Sequence, residues 1–170
     1  MTSSLLGLLI LLSPPPSAEK VIATAAIEAG KQHKNVLVYF HASWCSWCRR
    51  TDGLLASSTF GQKFRDSYVV AQVTIRERDE KRALENSGWE DVLLKIRGTK
   101  DHDVPYLAVL DSKRKKLGDG YRYAEGTVPG NGGYPHTGPE ADAFVDLIRQ
   151  TGKAFSEQDL TKLKAYFLLQ

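Results

Sequence analysis

Cysteine is scarce in this chain. Of 170 residues only two are cysteines, Cys45 and Cys48. With no second pair, a zinc site built from four thiolates is excluded. Neither cysteine lies near Ala18, which excludes a lipid-modified N-terminal cysteine. Charge of one sign is also lacking. The net charge of +3 is small and scattered, and does not argue for nucleic acid as a partner. No repeat and no extended low-complexity tract occurs. The apolar run at residues 5–12 is too short to span a bilayer, so no stable membrane span is expected in the mature chain. What is present is an average soluble composition, 42% hydrophobic and 25% charged, long enough for one domain with its own core.

The N-terminus reads separately. Residues 5–12 are apolar apart from Gly7, and Ser13, three prolines, Ser17 and Ala18 follow. The length suits the apolar region of a secretory signal, with Ala18 as the small residue before a cut. No Lys or Arg precedes Lys20, so the usual basic start is missing. The expectation is a signal peptide over residues 1–18 and a single mature domain over 19–170. Export would place the protein in the periplasm or outside the cell, where thiols meet an oxidising environment.

Both cysteines fall in the stretch 36–50, VLVYFHASWCSWCRR. Residues 36–40 are apolar, β-branched and aromatic, and predict a buried strand. From Cys45 the pattern turns helical, with Arg49, Arg50, Leu54 and Leu55 at helical spacing, and the helix is expected to reach Ala56. Asp52-Gly53 inside it lowers helix propensity. A thiol in the first turn of a helix meets unpaired N–H groups and the positive end of the macrodipole, which favour its thiolate. Cys45 takes that place. Cys48 follows one turn on, close enough to form a disulfide with it. An attacking thiolate and a second thiol that resolves the mixed disulfide are the requirements of dithiol–disulfide exchange. His41, four residues before Cys45, offers a third ligand for a metal-carrier alternative.

The stretch resembles the thioredoxin superfamily through residues 36–40, the Ala42-Ser43-Trp44-Cys45-Ser46-Trp47-Cys48 run and the later Val104-Pro105-Tyr106. It looks closest to bacterial thioredoxin-like proteins with a Trp-Cys-x-Trp-Cys motif followed by a basic residue. The resemblance covers roughly residues 31–119. It implies an α/β thioredoxin-like fold: a central mixed β-sheet flanked by helices. It also implies that Pro105 is cis and faces the dithiol, with the Val104 backbone offered to an extended substrate segment. Trp44 would shield one side of the site and give substrate an apolar platform. Trp47 is expected to face outward. No cofactor is implied. Thioredoxins carry a buried acid six residues before the first cysteine; here that position is Tyr39, and Gln72 stands where the partner lysine is expected. The usual proton acceptor is therefore missing, and His41 and the arginines after Cys48 are expected to shift thiolate stability instead.

Further along, residues 19–33 predict an amphipathic helix. Ser58 or Thr59 is expected to cap a short helix through Phe60 and Phe64. Residues 68–75 predict a central, doubly covered strand. Residues 76–81 are charged and expected to be exposed. Residues 82–96 predict a helix in two pieces divided near Ser87-Gly88, and 104–110 the next strand. Lys113 to Lys116 reads as a solvated hairpin tip before a weak edge strand at 117–123. Residues 124–139 form a long Gly- and Pro-rich connection holding Tyr134 and His136, the latter read as a solvent-exposed loop histidine. Residues 140–150 predict a helix. Ser156 to Asp159 resembles a capping box opening an extra C-terminal helix, expected to pack as an appendage.

The function these features favour is a monomeric thiol–disulfide oxidoreductase. Its nucleophile is Cys45 and its resolving thiol Cys48. It would act on protein thiol and disulfide substrates together with a redox partner protein. The alternatives are a thioredoxin-fold binding module with a structural disulfide, and a metal carrier using Cys45, Cys48 and His41.

Overall fold

The computed structural model describes residues 14–122, 130–131 and 133–169. The apolar run at 5–12 lies outside the described residues. Two strands form the middle of the structure. β1 (Asn35–His41) pairs in parallel with β2 (Tyr68–Thr74) and antiparallel with β3 (Tyr106–Leu110), which pairs antiparallel with β4 (Lys116–Asp119). The sheet is thus mixed and four-stranded, in the order β2-β1-β3-β4.

Alternation along β1 divides the core in two, because successive side chains of a strand point to opposite faces. Val36, Val38 and Phe40 join Ala71 and Val73 of β2 against α1 (Ala18–Gln32) and α4 (Trp89–Arg97). Leu37 and Tyr39 join Leu107 and Val109 against α2 (Ser46–Ala56), α3 (Gly61–Ser67), α5 (Gly138–Thr151) and α6 (Glu157–Leu168). Helices therefore cover both faces, as expected.

Several expectations are corrected. Among the described residues β2 lies at the edge of the sheet, paired with β1 alone. Its apolar residues are buried by α1 on one face, while Gln72 is exposed. Neither Ser58 nor Thr59 caps α3; Ser57 Oγ accepts the Phe60 N–H at 3.0 Å. The last strand breaks at Gly120, whose N–H turns inward to the Leu107 carbonyl. Beyond it, β5 (Tyr121–Arg122) pairs with β6 (Gly130–Asn131) in a separate ribbon. The two-piece helix is a 3-10 turn, Asp79–Leu84, followed by α4, with Gly88 at φ 72° between them. That left-handed backbone suits glycine. Nor is α6 an appendage. It opens on the expected Ser156/Asp159 capping box, and Leu160, Leu163 and Phe167 are at most 1% exposed within the Leu37–Tyr39 core.

The N-terminal boundary is built into this core. Ser17 caps α1 by accepting the Lys20 N–H, Ala18 is fully buried and donates to the Ser87 carbonyl, and Asn86 Nδ2 donates to the Pro16 carbonyl. Among the described residues no helix is long and apolar enough to cross a membrane.

Candidate active site

β1 ends at His41, and the chain turns through residues 42–44, closed by the Cys45 N–H donating to the Ala42 carbonyl at 3.1 Å. Cys45 is the N-cap of α2. Its Sγ accepts the Cys48 N–H at 3.1 Å, the place a serine or aspartate oxygen usually fills. Negative charge on that sulfur is favoured by the N–H and by the helix dipole. The two sulfurs lie close to disulfide distance, with the Cα atoms 5.1 Å apart. Cys45 is 5% exposed and Cys48 fully buried, so Cys45 is the sulfur at the surface.

The loop before β3 faces this pair. The Val104–Pro105 bond is cis, and the Val104 carbonyl oxygen lies 3.5 Å from Cys45 Sγ. Trp44 is half-buried; its Nε1 donates to the Arg76 carbonyl at 2.6 Å, and the Arg78 guanidinium sits 4.1 Å from its ring centre. Trp47 is 39% exposed. It stacks on Tyr134 at 5.8 Å and His136 at 5.0 Å, with the Arg50 guanidinium 4.8 Å from its ring. The residues singled out in the sequence, Trp44, Cys45, Cys48, Val104 and Pro105, are therefore brought together.

Beneath the dithiol lies a polar group whose arrangement the sequence did not reveal. Tyr39 is fully buried and its hydroxyl donates to the Cys48 carbonyl at 2.9 Å. Burial, and then the charge of and hydrogen bond to Asp52, push the Tyr39 pKa well above the ordinary tyrosine value. It stays a neutral donor. Asp52 is on α2, four residues after Cys48, and is half-buried. His41 packs 5.2 Å from the Tyr39 ring, contacts Thr74 Oγ1 at 3.0 Å, and meets the Gln72 amide at 2.9 Å. Burial lowers its pKa, with the charges of Asp52 and Glu77 opposing. Gln72 thus partners His41 in the place where a lysine was sought. Among the described residues no three His, Cys, Asp or Glu side chains form a metal-ligand group, so the Cys45, Cys48 and His41 set of the metal-carrier alternative is not assembled.

Two further features were missed. Glu77, read as part of an exposed charged run, is 4% exposed. Its carboxylate accepts the Ser43 N–H at 2.6 Å and the Ser43 hydroxyl at 2.7 Å, fixing the turn that carries the first cysteine. His136 is an exposed loop residue, as expected, but it also stacks on the Trp47 between the cysteines and pairs with Glu140 at 3.0 Å. A Gly- and Pro-rich connection gives no spacing signal for such a contact.

A dithiol at a helix N-terminus, fed by a central strand and faced by a cis-prolyl loop, defines a protein of the thioredoxin fold. The family model for thioredoxin-like proteins matches residues 18–112, more than half of the chain, and the chain belongs to that family. Among solved structures it is similar to a disulphide isomerase from Xylella fastidiosa Temecula1, at 19% identity and a TM-score of 0.53, covering 94% of this chain and 98% of that one. It is also similar to the oxidised C-terminal domain of DsbD from Neisseria meningitidis, at 17% identity and a TM-score of 0.48, covering 82% of this chain and 99% of that one. The first likeness speaks for the fold. No curated protein matches the chain.

Proposed function

We propose that the protein is a thiol–disulfide oxidoreductase acting on protein substrates, with Cys45 as nucleophile and Cys48 as resolving thiol. The observation that carries the reading is the Cys45 sulfur. It is the more exposed of the pair, accepts the Cys48 N–H at 3.1 Å, and lies 3.5 Å from the Val104 carbonyl. The Cys45 thiolate attacks one sulfur of a substrate disulfide; that S–S bond breaks and one substrate thiolate leaves. The Cys48 thiolate then attacks the Cys45 sulfur, a Cys45–Cys48 disulfide forms, and the second substrate thiolate leaves. The substrate gains two electrons and the protein loses two. A redox partner protein resets the pair, and the reverse sequence oxidises a substrate dithiol.

Trp44 and the Val104–Pro105 backbone hold the substrate segment beside Cys45. Before Cys48 attacks it must lose a proton. Asp52, with neutral His41 beside it, accepts that proton, while Tyr39 holds the Cys48 backbone in place. The domain is exported as a monomer, by a signal within residues 1–18. Removal after Ala18 would delete the Ser17 cap and the Pro16 carbonyl that Asn86 uses, so the reading places the cut at or before Pro16.

The test is trapping. Cys48→Ser should accumulate mixed disulfides with substrate proteins through Cys45, and Cys45→Ser should not. Equal trapping by both variants, or by neither, overturns the assignment.

A further inference from the structure

The surface around Cys45 is lined by guanidinium groups that the exchange chemistry itself does not require. Arg78 lies 4.1 Å from the centre of the Trp44 ring, and Arg50 lies 4.8 Å from that of Trp47. The two tryptophans stand on either side of Cys45 in the chain. Arg49 reaches back over the same turn and donates to the carbonyls of Ser43 and Trp44 at 3.5 and 3.4 Å. All three arginines are exposed, and none forms an ion pair among the described residues. Of the arginines elsewhere, Arg97 pairs with Asp101, Arg114 with Glu19, and Arg149 with Asp146 and Glu157, while Arg65 bonds the Gln62 amide.

The neighbouring acids do not cancel this charge. Glu77 is buried and both its oxygens are taken by Ser43. Asp103 lies 4.0 Å from a fourth arginine, Arg76. Asp79 and Glu80 open the 3-10 turn beyond Arg78, where Lys81 and Arg82 end it. Asp52 is engaged below with Tyr39. A guanidinium resting on an aromatic face loses little of its hydrogen-bonding capacity, because the N–H groups lie in its plane and remain free for a carboxylate. Stacking also fixes the group in advance, which lowers the entropy lost on binding.

Resting on the exchanger reading above, we propose that the substrate segment accepted at Cys45 is acidic, carrying carboxylates on both sides of its reactive cysteine. The carboxylate nearer Trp44 meets Arg78, and the one nearer Trp47 meets Arg50. Apolar contact comes from the two indole rings, and backbone bonding from Val104. The charge acts on the encounter rate as well as on the bound complex, and is screened by salt.

The experiment uses the reduced full chain and three disulfide-linked peptides with identical cysteine spacing, flanked by Glu, Gln or Lys. Second-order rate constants are measured by stopped-flow tryptophan fluorescence, with hydroxyethyl disulfide as a small neutral control. At low ionic strength the Glu peptide should react about tenfold or more faster than the Lys peptide, within the range of electrostatic steering. The ratio should fall toward one as salt rises. In the Arg50→Gln/Arg78→Gln double variant it should approach one even at low salt. Because it compares two peptides on one protein, it is insensitive to any general change in Cys45 reactivity. Equal rates for the three peptides, with hydroxyethyl disulfide still reacting, would overturn the acidic-substrate inference alone. A Glu preference that persists in the double variant overturns the assignment to these arginines. No reaction with any disulfide would overturn the exchanger reading, and this inference falls with it.

Discussion

Replacing Asp52 by Asn tests the proton route to Cys48 while leaving size and shape nearly unchanged. Two effects of the carboxylate oppose one another. A free thiol of pKa ~8.5 is only about 3% ionised at pH 7, and burial reduces that fraction further. A base in reach relieves the shortage, by roughly 10²–10⁴ in rate for positioned general bases. The same negative charge also repels the thiolate. Residues four apart on a helix stand about 6 Å apart. At an effective dielectric constant of ~20–40, suited to a half-buried group, the repulsion is on the order of 1–3 kcal/mol, or about 1–2 pKa units. Losing it would speed Cys48 ionisation by roughly ten- to a hundredfold. The range for base catalysis is the larger, so Asp52→Asn should slow the resolving step at pH 7, by about tenfold or more.

The assay is single turnover. A mixed disulfide is formed on Cys45 and its decay followed through Trp44 and Trp47 fluorescence from pH 5 to 10. The deficit should shrink as pH rises and solvent takes over deprotonation. NMR titration gives a second readout. Asp52 is one of the charges that raise the His41 pKa against burial, so the His41 titration should move to lower pH in the variant. Faster resolution at pH 7, or a slowing by the same factor at every pH, would refute the base role of Asp52.

The remaining predictions concern packing and processing. Tyr39→Phe deletes the hydrogen bond to the Cys48 carbonyl and should cost about 1 kcal/mol in urea unfolding, the usual net value of such a bond; the resolving rate should fall less than in Asp52→Asn, and a larger fall would give the hydroxyl a direct catalytic part. Leu163→Ala removes a fully buried side chain of α6 and should destabilise by about 2–5 kcal/mol; a loss below about 0.5 kcal/mol would return α6 to the status of an appendage. N-terminal sequencing of the exported protein should find its first residue at or before Pro16; a chain beginning at Glu19, or an intact Met1 on a cytoplasmic product, would contradict the processing proposed here.

How much of this was legible in the sequence depended on how local each signal was. The dithiol was readable because a strand, a turn, Cys-x-x-Cys and the start of a helix lie within the 15 consecutive residues 36–50, and the expected chemistry follows from that order. Val104–Pro105 was readable only through the family resemblance, since a Val-Pro pair by itself simply starts a strand. The apolar content of β2 announced burial but not its neighbours, and edge and centre differ in neighbours. Glu77 was taken for a solvated charge because its partner, Ser43, is 34 residues away. The face formed by Leu160, Leu163 and Phe167 was visible, but not the core it would enter. Asp52 looked like a weak point in a helix, because the rotation of α2 over the sheet, which brings it to Tyr39, is set by packing.

Tyr39 and Asp52 together give the apparent departure from the thioredoxin pattern a physical sense. A carboxylate at position 39 would be wholly enclosed between sheet and helix, where an isolated negative charge is costly. Tyrosine there fills the space with an apolar ring and donates to the Cys48 carbonyl. The acid stands instead on α2, where it keeps partial access to solvent and bears on both Tyr39 and His41. On the proposed reading, packing beneath the dithiol falls to Tyr39 and proton acceptance from it to Asp52. That reading predicts separate consequences of mutation: Tyr39 variants should act first on stability, and Asp52 variants on the pH dependence of exchange.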